Sequence, residues 1–271
     1  MLLGVTSNGI VRIDGDEVSR LDLPHRDLTE LLAEPDGRAA ALAATVVDRA
    51  ALADVSLRCP LGASSSIWGV GLNYHAKAAE TGRGVPDTPI LYVKPGPALA
   101  GPGAVVPIPA VPSDELDYEA EVALVVGAVL DCASPDEAWA AVAGITAAND
   151  LTARDVMRTT GNPGLAKGFT GFSPVGPTMR TADELTPDFD LGVRGYVNGE
   201  LRQDGRTSDF IFGAADLLAR VSQFTTLRPG DVVLTGTPPG TGQDRGEFLA
   251  AGDRLTVEVD GLLPLHNTLG G

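Results

Sequence analysis

The chain is short of lysine, histidine, cysteine and aromatic side chains. Three lysines, Lys77, Lys94 and Lys167, stand beside 17 arginines among 271 residues. There are three histidines, His25, His75 and His266, and two cysteines, Cys59 and Cys132. Two distant cysteines make neither a disulfide framework nor a zinc site. They suit a reducing compartment, here expected to be the cytoplasm. No apolar run approaches the roughly 18 residues of a membrane span. Met1 to Val5 are soon followed by Asn8, Arg12 and Asp14, so the start does not read as a signal peptide. Positive charge is scarce as well. The 36 acidic residues outnumber the 20 basic ones, for a net charge of −16. That balance argues against nucleic acid and anionic membrane as partners, because both need a basic face. A small anionic substrate must then be met by a few placed cations or by a metal. In a chain so poor in lysine and histidine, those residues are the first places to look for chemistry.

Glycine (33) and proline (20) are plentiful and point to a strand-rich fold with many turns. Residues 1–62 read as a small N-terminal domain. A hairpin is expected from Leu2–Val5 and Ile10–Ile13 across Ser7-Asn8-Gly9. Helices are expected at Asp27–Leu32 and over the alanine-rich stretch Arg38–Ala53. Residues 63–271 read as a second, larger domain. Short apolar runs recur there, among them Ile67–Val70, Ile90–Val93, Val122–Val126, Gly144–Ala148 and Val232–Thr235. Two helices interrupt them, at Pro135–Ala143 with Ser134 as N-cap and at Ile211–Gln223. This irregular spacing does not suit alternating βαβ units. It predicts an α+β fold on a mixed, partly rolled sheet.

The strongest local pattern is Asp117-Tyr118-Glu119-Ala120-Glu121-Val122-Ala123-Leu124-Val125-Val126. On a strand Glu119 and Glu121 share one face, while Ala120, Val122, Leu124 and Val126 share the other. Two neighbouring carboxylates repel and lose hydration if buried. Two arrangements relieve this: both face water, or a cation lies between them. An all-oxygen donor set would favour magnesium, with manganese or calcium as alternatives. Asp150, at the end of the apolar run Gly144–Ala148, is either a third carboxylate for that cation or an ordinary turn residue beside Arg154. Lys167 stands among small and apolar residues, so its ammonium is expected to point somewhere specific. Lys77 and Glu80 fall on one helical face, either as an exposed ion pair or as part of a site. The loop Thr235–Gly242 carries hydroxyls and glycines but lacks the Gly-Lys-Ser/Thr ending of a nucleotide-binding loop.

Together these segments resemble the fumarylacetoacetate hydrolase family. The matching motifs, in order, are Gly71-Leu72-Asn73-Tyr74, Pro89–Pro95, Leu116–Glu121, Asn149–Asp155, Ala166–Phe169, Val197–Glu200 and Thr235–Pro238. The resemblance implies a mixed β-sandwich roll, a small N-terminal domain and a homodimer. It implies a divalent metal, normally magnesium, on Glu119, Glu121 and Asp150. It carries substrate roles onto Arg154, Lys167 and Thr237 and places Lys94 near the pocket, with Tyr74 and His75 beside it. The implied substrates are 2-oxo acids and acylpyruvate-like dicarbonyls, handled through a metal-stabilised enolate.

Two departures from the family pattern bear on the reaction. The family commonly keeps a histidine three residues after Asn-Tyr, paired with a glutamate to activate water. Here the glutamate is Glu80, but Lys77 stands where the histidine would be, with His75 two residues away. A frequent family glutamine is Met157. Hydrolysis of a C–C bond is therefore the family default, and a non-hydrolytic isomerase, tautomerase or decarboxylase is the alternative. A catalytically inactive metal-binding or ligand-binding homologue is the third reading. The segment His75–Pro86 is expected to be a mobile lid.

Overall fold

The computed structural model describes residues 1–270. Most of the expected runs are strands. Ile67–Gly71, Ile90–Lys94, Ala120–Val126, Val142–Asn149 and Val232–Leu234 all belong to one 11-stranded mixed sheet. Ala120–Val126 runs antiparallel to Val142–Asn149 on one side and to Val232–Leu234 on the other. A five-stranded sheet of Glu200–Arg206, Gly192–Val197, Arg254–Val259, Leu265–Leu269 and Val105–Val106 packs against the first. The expected α+β sandwich roll is the observed fold.

The core explains why the central strand is apolar almost throughout. Val122, Leu124 and Val126 meet Val193, Val257 and Leu265 of the second sheet, together with Leu217 and Val221 of the helix Ala214–Ser222. Ala123 and Val125 face the opposite way, into a core shared with Leu28, Leu31 and Leu32 near the N-terminus. A strand covered on both faces needs no polar alternation. The first strands also extend the large sheet, because Leu2–Thr6 pairs antiparallel with Ser173–Thr181.

Two local expectations need correction, and one strand was not foreseen. The Arg38–Ala53 helix is instead a short helix, Gly37–Ala43, followed by a strand, Val46–Ala51. Val46 and Val47 favour extended backbone, and pairing with Glu17–Leu21 outweighs the helical preference of the alanines. The Pro135 helix stops at Ala140, and Val142 already belongs to a strand. Ser173–Thr181 is a nine-residue strand despite Pro174, Gly176 and Pro177. Its pairing jumps from Thr146–Met179 to Ala148–Val175, and that bulge absorbs residues unable to join a regular ladder.

Candidate active site

The two halves of the large sheet bring the acidic residues together. Ala120–Val126 presents Glu121 at its start, with Glu119 just before it, and Asp150 follows the end of Val142–Asn149. The pairing is reinforced locally. Asp150 N–H donates to the Glu119 carbonyl at 2.8 Å, and Glu119 N–H donates to Asn149 Oδ1 at 3.0 Å. One carboxylate oxygen from each of Glu119, Glu121 and Asp150 lies within 4.8 Å of the others. All three are buried, and Glu121 and Asp150 are fully so. The sequence left two arrangements open for the paired glutamates, and burial rules out a solvated face.

Cations surround this cluster. Lys167 Nζ donates to Glu119 Oε2 at 2.6 Å, Asp150 Oδ2 at 2.5 Å and Thr152 Oγ1 at 2.8 Å. Lys94 Nζ donates to Asp150 Oδ1 at 2.5 Å and to the Phe172 carbonyl at 2.7 Å. Arg154 bridges Asp117, at 2.7 Å, and Glu119. The Tyr92 hydroxyl donates to Asp150 Oδ2. Gly69 leaves the room that the Tyr92 ring fills, since a Cβ there would strike it.

The electrostatics split the carboxylates. Burial pushes Asp150 up, but Lys167 and Lys94 outweigh it and hold the carboxyl well below the usual range. Burial pushes Glu121 well above that range, and the like charges of Asp150 and Glu119 add to it. Glu121 Oε2 accepts the Gly236 N–H at 2.7 Å, whereas Oε1 has no partner among the described residues. A fully buried carboxylate oxygen without a donor costs free energy that a cation would recover. The donor set therefore fits a hard divalent ion: three carboxylates, no sulfur or imidazole, and one unsatisfied oxygen among them.

A cavity of about 160 Å³ adjoins the cluster. Its wall includes Lys77, Glu119, Arg154, Lys167 and Thr237 from the predicted set. Thr237 Oγ1 donates to the Ala120 carbonyl at 2.9 Å, which ties the Thr235–Gly242 loop to the carboxylate strand. Met157 lines the cavity as well, so its apolar side chain occupies the wall at that point. Leu72 lines it with φ of 54°, a left-handed backbone that costs a branched residue free energy and marks a tight turn.

Three residues expected near substrate lie elsewhere. Lys94 is fully buried behind Asp150, with two of its N–H groups already engaged. Tyr74 is fully buried edge-on to Phe210 with ring centroids 4.9 Å apart, and burial raises its phenol well above the ordinary value. His75 begins the helix His75–Glu80 on its exposed side. None of the three lines the cavity. Two residues that do hold the site together, Tyr92 and Asp117, carried no sequence signal beyond their motif. Asp117 accepts from Arg154 and from the backbone N–H groups of Gly242 and Gln243.

The helix His75–Glu80 is not free. Lys77 Nζ donates to Glu80 Oε2 and to Thr241 Oγ1, both at 2.9 Å, and to Asp244 Oδ2. The first half of the expected lid is thus tied down. Lys77 is 7% exposed, so the exposed ion pair is not what forms.

The family model described as fumarylacetoacetate (FAA) hydrolase C-terminal matches residues 66–270. The chain belongs to the fumarylacetoacetate hydrolase family. Several of its relatives carry enzyme names. The mitochondrial oxaloacetate tautomerase of Homo sapiens is 39% identical over 213 residues, covering 77% of this chain and 68% of that protein. That of Xenopus laevis is 38% identical over 218 residues, covering 79% and 68%. Among solved structures, the fumarylacetoacetate hydrolase of Exiguobacterium antarcticum superposes with a TM-score of 0.85 at 28% identity, covering 100% of this chain and 99% of that one. The 5-carboxymethyl-2-hydroxymuconate delta-isomerase of Mycobacterium smegmatis does so at 0.80 and 31%, again covering 100% and 99%. One family fold thus carries hydrolase, isomerase and tautomerase names. No helix among the described residues is long and apolar enough to cross a membrane.

Proposed function

We propose that the protein is a magnesium-dependent enzyme that tautomerises or isomerises a small 2-oxo acid without using water as a reactant. The observation that carries this is the state of Lys77. An ammonium has three N–H donors, and all three are engaged, by Glu80, Thr241 and Asp244. Nothing at this position is left to take a proton from water. The C–C hydrolysis expected as the family default loses its base, whereas moving a proton within the substrate does not need one there. The tautomerase names of relatives near 38% identity support the same choice.

Glu119, Glu121 and Asp150 would hold the metal. When bound, it would supply Lewis-acid polarisation of the substrate's keto and carboxylate oxygens. Arg154 uses its Nε and one terminal nitrogen on Asp117 and Glu119. Its remaining N–H groups are available to a substrate carboxylate. Lys167 lines the same cavity, and its flanking carboxylates, Asp150 and Glu119, outweigh burial and keep its ammonium protonated. We assign its positive charge the stabilisation of the negative charge that would develop on the substrate as an enolate forms. Thr237 orients the loop opposite. Lys94 and Tyr92 hold Asp150 and do not touch substrate.

Decarboxylation of a 3-carboxylated oxo acid would use the same residues and is the second reading, since it also spares water. A homodimer in the cytoplasm belongs to the same proposal; the two free cysteines accord with a reducing setting, and sedimentation tests the dimer. The functional test follows the enol absorbance of oxaloacetate. Fast decay to the ketone, dependent on magnesium and lost in Glu121→Gln, supports the reading. A rate no higher than that of buffer with magnesium overturns it.

A further inference from the structure

Two walls of the cavity come from separate parts of the chain, and one polar network joins them. The first wall is the helix His75–Glu80, which contributes Lys77, with Thr81 at its end. The second is the loop from Thr237 to the short helix Gly242–Arg245, which contributes Thr237, Thr241 and Gln243. Lys77 crosses from the first to Thr241 and Asp244 on the second. Thr241 Oγ1 donates in turn to Asp244 Oδ2 at 2.6 Å. Glu80 crosses too, accepting the Gly240 N–H at 3.0 Å. Asp244 is the anchor of this set. Its side chain is only 12% exposed, and it takes both the ammonium and the threonine hydroxyl on one oxygen. Lys77 and Thr241 hold its carboxyl below the usual range against the opposing effect of burial.

The network continues inward. The N–H groups of Gly242 and Gln243 donate to Asp117 at 2.6 and 3.1 Å, Asp117 accepts from Arg154, and Arg154 reaches Glu119. The anchored loop is therefore fixed at its inner end by the residues around the carboxylate cluster. Without Asp244 the helix His75–Glu80 would lose its ion pair across the cavity and keep two hydrogen bonds, from Lys77 to Thr241 and from the Gly240 N–H to the partly exposed Glu80.

We propose that Asp244 is a positioning residue: through Lys77 it holds the helix His75–Glu80 in its substrate-ready place before substrate arrives. The helix then costs nothing to order at the binding step. If the latch is broken, only a fraction of molecules have the wall in place, and apparent affinity falls by that fraction. The chemical step, set by Arg154, Lys167 and the carboxylates, stays the same once substrate is bound. The inference rests on the functional reading only for the ligand class, a 2-oxo acid.

The test compares Asp244→Ala, Asp244→Asn, Lys77→Met and the double variant Lys77→Met/Asp244→Ala, each loaded with magnesium. Oxalate serves as the probe ligand, and hydrogen exchange is read at the amides of Ala78, Thr81 and Gly82, whose N–H groups close this helix. Asp244→Ala is expected to speed that exchange about tenfold. KM and the oxalate Kd are expected to rise by one common factor, about tenfold, with kcat within twofold of the wild type. Asp244→Asn keeps an acceptor and falls between; it carries the test if the alanine variant does not fold. The double variant is expected to be no worse than the worse single one, because both break one latch. Additive losses overturn the proposal. So does unchanged exchange at those three amides, or a fall in kcat with KM and oxalate Kd unmoved, the pattern of a merely structural role. A magnesium Kd that worsens in step with that of oxalate also overturns it, because the cluster would then have moved. If the wild type binds no oxalate, the functional reading fails while exchange still decides the latch.

Discussion

The floor and the rim of the cavity are built on different principles. The floor is part of the core. Glu121 and Asp150 leave a sheet whose other face is packed apolar; Asp150 and Glu119 are buried and paired with Lys94, Lys167 and Arg154, while Glu121 keeps one oxygen without a partner. The rim is a six-residue helix and a glycine-rich loop, joined by ion pairs that reach the surface. Buried pairs of the first kind are costly to break from one side. Partly exposed ones of the second kind contribute less each and act together. On this reading the floor supplies the metal site and its cations, and the rim sets how readily substrate meets them and, at Lys77, whether water can react.

The largest effects should come from the floor. Glu121→Ala is expected to abolish magnesium binding by calorimetry and to lower turnover by on the order of a thousandfold, as loss of several kcal/mol of charge stabilisation implies. Retained binding and turnover would break the comparison at its base. Arg154→Met removes a donor from the cavity and frees Asp117 and Glu119 of their partner. A fall in kcat of about a hundredfold is expected, and a change confined to KM would move Arg154 to the rim.

Lys77→His restores the family's residue at a rim position. It breaks the latch and supplies a base, so a slow C–C hydrolysis of an acylpyruvate should emerge while tautomerisation persists within about tenfold. No new product by chromatography would show that the base alone does not decide the reaction. Smaller still is Thr241→Val, which removes the hydrogen bonds from Lys77 and to Asp244 but leaves their ion pair; a rise in KM of about fivefold is expected, the size of roughly 1 kcal/mol.

A pH series sharpens the contrast from the side of stability. Glu121 is raised in the metal-free fold, so the folded chain keeps a proton that the unfolded chain has released. Stability of the metal-free protein is then present below the ordinary glutamate range and is lost as pH rises through the raised value. A bound cation removes that loss. Magnesium should therefore raise Tm more at pH 8 than at pH 5.5, by on the order of 5 °C. An equal rise at both would contradict the state assigned to Glu121.

This contrast also decided what could be read from residues alone. Glu119 and Glu121 were legible because the i, i+2 rule places them on one strand face while Val122 and Leu124 take the other. Asp150 was legible as the end of an apolar run. The sandwich was legible from its apolar strands, though Ser173–Thr181 was hidden by its prolines and Val46–Ala51 by its alanines. Asp244 gave no signal: it is one acid in a polar turn, 167 positions from Lys77, and only the folded chain joins them. Lys77 was conspicuous as a departure, but its role depends on those distant partners. Lys94 drew attention by rarity, yet it supports Asp150 from behind.

The central claim is that water is not a reactant at this site. Its most direct test incubates the magnesium-loaded protein in heavy-oxygen water with an acylpyruvate and, separately, with the enol of oxaloacetate. The account predicts rapid enol-to-ketone conversion and no cleavage of the acylpyruvate. A cleaved product carrying one heavy oxygen in its new carboxylate would contradict it.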